Sequence, residues 1–187
     1  MAADVVVGLS GATGAAYAVR LLTRLRELGV RSHLVATPAG LLTAHHELGL
    51  ERRALEALAD EAYGINEVGA RIASGSFAVQ AMLVAPCSMR TLAAVAHGLG
   101  DNLLTRAADV TLKERRRLVL ATREAPLNLA HLRNMVAATE MGAVICPPLP
   151  AFYLKPTSVE AIVAEGAERL LGLAGVPGAA PTPWQGC

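Results

Sequence analysis

Three glycines near the start of the chain, Gly8, Gly11 and Gly14, follow a β-branched run and precede a pattern with helical period. A small-residue turn between a strand and a helix lets backbone N–H groups and the positive end of the helix meet a phosphate. The glycine spacing differs from the G-x-G-x-x-G fingerprint of dinucleotide sites. The turn therefore predicts a phosphate site that suits a mononucleotide such as FMN better than NAD, with a ligand-free turn as the alternative.

Residues 86–91 are a second segment whose side chains could bind a ligand. The segment follows the apolar run 82–85 and opens a helical pattern. Ser88 is placed to cap that helix, because a serine hydroxyl accepts hydrogen bonds from the first N–H groups of a helix. In the other interpretation, the hydroxyls of Ser88 and Thr91 face a phosphate or a flavin ring. The segment is thus a candidate ligand contact, and simple capping is the alternative.

Arg123 and Glu124 are adjacent at the end of another apolar run, 118–122. A guanidinium in this position suits a phosphate, and a neighbouring carboxylate suits proton transfer. As a surface ion pair, the two side chains would contribute less than ~1 kcal/mol to stability. We take Arg123 as a candidate phosphate ligand and Glu124 as a candidate for proton transfer.

Two other segments contribute one candidate each. In a charge run we expect Arg116 and Arg117 to be solvated, as most such runs are, and we single out Lys113. The prolines of residues 147–153 restrict the backbone and present Tyr153, whose hydroxyl can hydrogen-bond a phosphate. A purely structural turn is the alternative for this second segment.

Histidines and cysteines do not form a metal-binding pattern. The five histidines are scattered, and Cys87, Cys146 and Cys187 form an odd, widely spaced set. Neither set has the spacing of a zinc site, so we predict no metal. Unpaired cysteines of this kind suit a reducing compartment.

The candidate residues lie at the ends of short apolar runs, which alternate with helical patterns. Hydrophobic residues make up 53% of the 187 residues and aromatic residues 3%, which favours an aliphatic core, as in parallel sheets covered by helices. We predict strands at 5–9, 33–37, 82–85, 118–122 and 143–146. We predict helices at 14–28, 51–59, 88–97, 103–114, 128–141 and 158–173. This alternation predicts one α/β domain with a Rossmann-like (flavodoxin-like), doubly wound parallel sheet in three αβα layers, with ligands beyond the carboxyl ends of the strands.

The composition also limits the partners. A net charge of +1 gives no argument for nucleic-acid binding, and no apolar run approaches the ~20 residues that span a bilayer. The start of the chain lacks a signal-peptide pattern, so we expect a cytoplasmic protein. The mean hydropathy of +0.40 is high for a monomer, so we expect an oligomer. Residues 1–174 are predicted to form the α/β domain with the phosphate site and residues 175–187 an extended arm, in which Trp184 packs on a neighbouring surface.

Six strings, in order along the chain, resemble one family. They read GLSGATG at 8–14, APCSMRT at 85–91, LTRAADV at 104–110, LKERR at 112–116, REAPL at 123–127 and PPLPAFY at 147–153. Together they resemble the UbiX family of flavin prenyltransferases, also called Pad-type proteins, over 5–184, nearly the whole chain. The chain is also similar to the wider family of flavin-dependent cysteine decarboxylases, but the APCS-x-x-T and PPxPAFY strings favour UbiX.

The resemblance implies a specific reaction. A dimethylallyl group from dimethylallyl phosphate is joined to N5 and C6 of reduced FMN, and the prenylated FMN serves a separate UbiD-type decarboxylase. Loss of phosphate leaves an allylic cation that aromatic faces stabilise while basic side chains hold the phosphate, so no metal is needed. The resemblance also implies a homododecamer and leaves open a diphosphate donor. The alternatives are an FMN-dependent cysteine-type decarboxylase and a non-catalytic flavin carrier.

The resemblance also assigns roles to residues at positions that match the family's motifs. FMN contacts fall to Gly11, Ala12, Thr13, Thr37, Ser88, Met89, Arg90, Thr91 and Arg123. Contacts with the dimethylallyl phosphate fall to Tyr153, Arg169 and the pocket-covering Trp184, and, from a neighbouring copy of the chain, to Arg106 and Lys113. Catalytic roles fall to Glu47, Lys113, Tyr153, Arg169 and Glu124, the last for proton transfer during ring closure.

Two positions depart from the family's pattern. Thr13 stands where the family usually has Ser, so the hydroxyl is kept while an extra methyl group crowds the turn. Thr37 and Pro38 stand where the family often has Ser-Lys, so any role of a lysine there is lost. Because proline favours the first position of a helix, the next helix is expected to start earlier.

Overall fold

A six-stranded parallel sheet lies at the centre of the computed structural model, which describes residues 4–186; Cys187 lies outside this range. Its strands are β1 (Val5–Leu9), β2 (Ser32–Ala36), β3 (Glu61–Tyr63), β4 (Ala81–Cys87), β5 (Arg117–Thr122) and β6 (Val144–Ile145). They lie in the order β3-β2-β1-β4-β5-β6, and every neighbouring pair is parallel. The five predicted strands are confirmed, and the edge strand β3 is an addition.

Helices cover both faces of the sheet. They are α1 (Ala15–Glu27), α2 (Pro38–Leu48), α3 (Arg52–Glu56), α4 (Met89–Ala96), α5 (Leu103–Lys113), α6 (Leu129–Glu140) and α7 (Val159–Ala174). One core cluster joins α1 and α7 to one face of the sheet, and a second joins α4, α5 and α6 to the other face. The three-layer, doubly wound α/β fold is therefore confirmed. Across residues 4–186, no helix is both long and apolar enough to cross a membrane.

Alternate residues of the central strands serve the two core clusters. On β1, Val5 and Val7 pack with α1 and α7, whereas Val6 packs with the helices of the opposite face. All five residues of β1 and all seven of β4 are buried. This two-sided burial explains why the strands read as continuous apolar runs rather than as alternating patterns.

Arg116 corrects one expectation about the charge run. Its guanidinium donates to the carbonyl of Phe77 at 2.9 Å and to that of Gly75 at 2.7 Å, so it holds the loop before β4. The prediction that Arg116 is solvated is wrong, because a planar guanidinium can satisfy two carbonyls that the loop leaves without partners. Arg117 is exposed as expected, and it donates to the carbonyl of Leu173 at 3.0 Å.

The residues after α7 do not extend away from the domain. The N–H of Ala180 donates to Glu168 at 2.9 Å, and the N–H of Thr182 donates to Glu165 at 2.9 Å. The chain therefore turns back along α7, because these main-chain donors find carboxylate acceptors there. We expected Trp184 to pack on a neighbouring surface, and in this structure it packs on its own chain.

Ser10 joins the ends of the two central strands, β1 and β4. Its buried hydroxyl donates to the carbonyl of Pro86 at 2.9 Å and accepts from the N–H of Ser88 at 2.8 Å. The chain leaves β1 for α1 on one face and β4 for α4 on the other, which makes this the point where doubly wound sheets bind ligands. Ser10 thus holds the glycine turn (residues 8–14) against segment 86–91.

We expect Ser10→Ala to lower the free energy of unfolding by about 1–3 kcal/mol, because it leaves the N–H of Ser88 without an acceptor inside the protein. Chemical denaturation measures this loss. Ser76→Ala makes the same change at an exposed hydroxyl and should stay within about 0.5 kcal/mol of the unchanged protein. Equal losses in the two variants would contradict the role of the Ser10 bridge.

Candidate functional site

The helical end of the glycine turn is occupied by the carboxylate of Glu47, which lies on α2. Its Oε2 accepts from the N–H of Gly14 at 3.0 Å and from that of Ala15 at 2.9 Å. Burial opposes ionisation of this carboxyl, but hydrogen bonds from the Thr13 hydroxyl and from these N–H groups hold the pKa of Glu47 below its usual value. The first N–H groups of α1, which we expected to meet a phosphate, are thus used by a side-chain anion.

The glycine at position 11 is required by the close approach of α2. A Cβ on Gly11 would lie 2.4 Å from the Cβ of Ala39, well inside van der Waals contact. The helix begins at Pro38, as its proline predicts, and the Thr37 hydroxyl caps it by accepting from the N–H of Gly40 at 3.0 Å. The structure therefore places Thr37 beside the glycine turn, with its hydroxyl used in capping.

Segment 86–91 also uses its hydroxyls to cap a helix. The Ser88 hydroxyl accepts from the N–H of Thr91 at 3.3 Å and donates to the Thr91 hydroxyl at 3.1 Å. Thr91 is buried, Met89 is partly buried, and Arg90 is exposed, 3.7 Å from the carboxylate of Asp101. Capping, the alternative interpretation of Ser88, is what the structure shows.

Arg123 and Glu124 are exposed immediately after β5, at the carboxyl edge of the sheet. The carboxylate of Glu124 accepts from the N–H of its neighbour Ala125 at 3.1 Å. Burial raises the pKa of the Tyr17 hydroxyl, and the positive charge of Arg123 partly opposes this rise. The two candidates therefore lie on the same edge as the glycine turn.

Tyr17 is a residue of this region that the sequence did not single out. A Cβ on Gly166 of α7 would lie 2.7 Å from its ring, and a Cβ on Gly14 would lie 3.3 Å from it. The ring is therefore held between the glycine turn and α7. Its position one turn after Gly14 was the only available signal, and an aromatic residue at that spacing is also typical of an ordinary core.

An open cavity of about 880 Å³ lies between the end of β6, α7 and the C-terminal residues, a size typical of small-molecule sites. Tyr153, Arg169 and Trp184 all line it, and the Tyr153 and Trp184 rings meet edge to face, 4.9 Å apart. Burial raises the pKa of the Cys146 thiol in the same wall, and the charge of Arg169 partly opposes this rise. The structure thus gathers three of the residues that the resemblance assigns to the dimethylallyl phosphate.

Arg106 and Lys113 are not gathered there. Both lie on α5, on the opposite face of the sheet from α7. Arg106 donates to Asp109 at 2.7 Å and to the carbonyl of Ala73 at 3.3 Å, and Lys113 pairs with its neighbour Glu114. Within one chain, neither cation belongs to the cavity.

The cationic groups at the carboxyl edge can receive anions. Among the ion pairs of residues 4–186, none involves Arg123 or Arg169, and both residues are exposed. Two guanidinium groups, a tyrosine hydroxyl and an apolar wall fit ligands that carry phosphate on an apolar or planar body. In the described part of the chain, no group of three or more His, Cys, Asp or Glu residues is arranged to hold a metal ion.

The hydrogen bonds of Glu47 predict a pH-dependent contribution to stability. Because the pKa of Glu47 is lower in the folded chain than its unperturbed value of 4.5, its contribution is present above that value and is lost as the pH falls through the folded pKa. Glu47→Gln should therefore destabilise the protein at neutral pH, and the two stability curves should converge under acid conditions. Urea titrations across the acid range measure this convergence. Glu140→Gln, at an exposed position of α6, should run parallel to the unchanged protein; a constant gap for Glu47→Gln would contradict the assignment.

The sequence matches proteins of established families. The model of the family described as Flavoprotein matches residues 2–169. The flavin prenyltransferase UbiX of Neisseria meningitidis is 52% identical over 186 residues, which cover 100% of this chain and 98% of that protein. Both matches extend over most or all of the chain, so they concern the whole fold and not one motif.

Two solved structures match closely in three dimensions. The crystal structure of AnUbiX (PadA1) in complex with FMN and dimethylallyl pyrophosphate has a TM-score of 0.96 and 44% identity, and the match covers 100% of each chain. The dodecameric FMN-dependent UbiX-like decarboxylase from Escherichia coli O157:H7 has a TM-score of 0.93 and 44% identity, and the match covers 98% of this chain and 100% of that one. From its sequence over its full length and from its fold, the chain belongs to the Flavoprotein family and, within it, to the UbiX flavin prenyltransferases.

Proposed function

We propose that this flavin prenyltransferase joins the dimethylallyl group of dimethylallyl phosphate to N5 and C6 of reduced FMN. The observation that carries this proposal is the cavity in which Arg169, Tyr153 and Trp184 lie together. A guanidinium and a tyrosine hydroxyl suit a departing phosphate, and aromatic rings suit an allylic cation. AnUbiX, which shares this fold, was crystallised with FMN and dimethylallyl pyrophosphate.

We place the flavin at the carboxyl edge of the sheet, between the glycine turn and segment 86–91. There, Gly11, Ala12 and Thr13 offer backbone to the flavin phosphate region, and Arg123 offers a positive charge. The N-terminal ends of α2 and α4, capped by Thr37 and Ser88, add positive helix dipoles at the same edge. When bound, reduced FMN supplies the nitrogen and carbon atoms to which the five-carbon unit is joined.

The departing phosphate is held by the Arg169 guanidinium and the Tyr153 hydroxyl. Trp184 covers the apolar part of the cavity beside Tyr153 and excludes water from the allylic carbon. The positive charge of the Arg169 guanidinium offsets the negative charge of the departing phosphate. This side chain therefore assists departure of the phosphate electrostatically.

Glu124 carries out the proton transfer that accompanies ring closure. Its carboxylate is exposed and accepts a hydrogen bond from its chain neighbour, so it is able to reorient toward a ligand. The carboxylate of Glu47 is held by main-chain N–H groups and by Thr13, which favours a fixed, ionised group. Glu47 therefore supports the glycine turn, and Glu124 moves the proton.

The active protein is a homododecamer in which α5 of one copy brings Arg106 and Lys113 to the cavity of another. The apolar side chains of Leu129, Leu132 and Val136 on α6 are 60%, 46% and 58% exposed, which favours burial against a second copy. The related UbiX-like decarboxylase from E. coli O157:H7 is dodecameric.

We place the protein in the cytoplasm, because a reducing environment suits its free cysteines. We also propose a UbiD-type decarboxylase as the recipient of prenylated FMN.

Anaerobic incubation of the protein with reduced FMN and dimethylallyl phosphate tests the reaction. We expect mass spectrometry to show a flavin heavier by one five-carbon unit. A parallel incubation with dimethylallyl diphosphate compares the two donors. Tight FMN binding with an unchanged flavin mass for both donors would overturn the proposal and favour a flavin carrier.

Tyr153→Phe separates donor binding from flavin binding. The variant loses the hydrogen bond from the Tyr153 hydroxyl to the charged phosphate. We therefore expect the KM for dimethylallyl phosphate to rise about tenfold and the Kd for FMN to stay unchanged. Steady-state kinetics and FMN titration measure the two quantities. Tyr63→Phe, which removes a hydroxyl on β3 at the edge of the sheet, should leave the donor KM unchanged. Equal losses for donor and flavin would contradict the role given to Tyr153.

A further inference from the structure

The C-terminal arm, residues 175–186, is attached to α7 by two carboxylates. Glu168 accepts from the N–H of Ala180 at 2.9 Å and from the guanidinium of Arg24 on α1 at 2.5 Å. One turn earlier on α7, Glu165 accepts from Thr182. As residue numbers rise along the arm they fall along the helix, so the arm lies antiparallel on α7 and ends at the mouth of the cavity.

Glu165 makes the contact nearest the cavity, and it uses both carboxylate oxygens. Oε1 accepts from the N–H of Thr182 and Oε2 accepts from the Thr182 hydroxyl, each at 2.9 Å. Glu165 and Thr182 both line the cavity, and Trp184 lies two residues further along the arm with its ring on Tyr153. The Glu165–Thr182 contact therefore sets where Trp184 sits.

Glu165 is also four residues from Arg169 on α7, and both side chains line the same cavity. Opposite charges at this spacing attract one another on a helix. Among the ion pairs between residues 4–186, none joins these two side chains. Thr182 thus engages the carboxylate that would otherwise be the natural partner of Arg169.

We propose that Glu165 is a positioning residue that couples closure of the arm to binding of the donor's phosphate. With the arm docked, Glu165 binds Thr182, Trp184 covers the cavity, and Arg169 is available to the phosphate. With the arm undocked, Glu165 pairs with Arg169 and competes with the anion. The coupling is reciprocal, so an anion on Arg169 favours the docked arm. This inference rests on the proposed donor site, but its conformational part can be measured without catalysis.

The single tryptophan of the chain reports the position of the arm. Acrylamide quenching of Trp184 fluorescence should be stronger in Thr182→Val than in the unchanged protein, because the variant loses the hydroxyl donor and keeps the side-chain shape. Inorganic phosphate should reduce quenching in the unchanged protein. Thr23→Val makes the same change at a hydroxyl that bonds only within α1, to the carbonyl of Val19, and should match the unchanged protein. Equal quenching in all three proteins would overturn the proposal.

Kinetics test the effect on Arg169. Thr182→Val should raise the KM for dimethylallyl phosphate about tenfold, as expected for loss of a hydrogen bond to a charged group. Its kcat should change less than twofold, because saturating donor restores the docked arm. Adding Glu165→Gln to this variant removes the competing charge, so KM should recover while Trp184 quenching remains strong. A KM that stays high in the double variant would overturn the competition for Arg169. If no protein prenylates FMN, the proposed function fails, and the quenching comparison still decides whether the arm is held as proposed.

Discussion

One buried hydroxyl, that of Ser10, holds the two halves of the site together. It donates to the carbonyl of Pro86, near the end of β4, and accepts from the N–H of Ser88, the residue that follows β4. The glycine turn and segment 86–91 leave the sheet toward opposite faces, so nothing in either helix layer alone determines their separation. A hydroxyl is suited to this position because it both donates and accepts, and its small size lets two strand ends meet.

Carboxylates around this edge serve two different purposes. Glu47, Glu165 and Glu168 accept main-chain N–H groups from other segments, and they hold the start of α1 and the C-terminal arm in place. For Glu47, hydrogen bonds of this kind hold the pKa below its usual value, which makes this carboxyl a poor proton donor at neutral pH. Within residues 4–186, Glu124 accepts a hydrogen bond only from its chain neighbour and faces solvent, so it is the carboxylate that the proposed proton transfer would use. Residue type alone does not separate these roles, and hydrogen-bond partners do.

The hydroxyl groups of Thr37 and Ser88 are likewise committed to the fold. Thr37 and Ser88 cap α2 and α4, so their oxygens already accept helix N–H groups. The exposed guanidinium groups of Arg123 and Arg169, the Tyr153 hydroxyl and the helix ends are then the remaining candidates for anion recognition. The sheet separates the cations of α5 from the cavity, so Arg106 and Lys113 do not line the cavity of their own copy.

Much of the fold could be predicted from the sequence, because strands buried on both faces must be short, continuous apolar runs. The edge strand β3 was missed, since its residues are only partly buried or exposed and carry no such run. Helix α2 was not placed because only Gly40 and Ala44 of its residues are buried, which leaves little apolar periodicity. The glycine turn, the strand-end candidates and the family were all identified from local strings.

The sequence by itself thus determined the layer architecture, the family and the residue types at the carboxyl edge. Only the tertiary structure decided which groups meet: Glu47 with the start of α1, Arg116 with the loop before β4, and Glu165 with Thr182. The physical reason is that periodicity records which face of an element is buried. Hydrogen-bond partners distant in sequence depend instead on where strands end and how helices cross, and no local pattern encodes this.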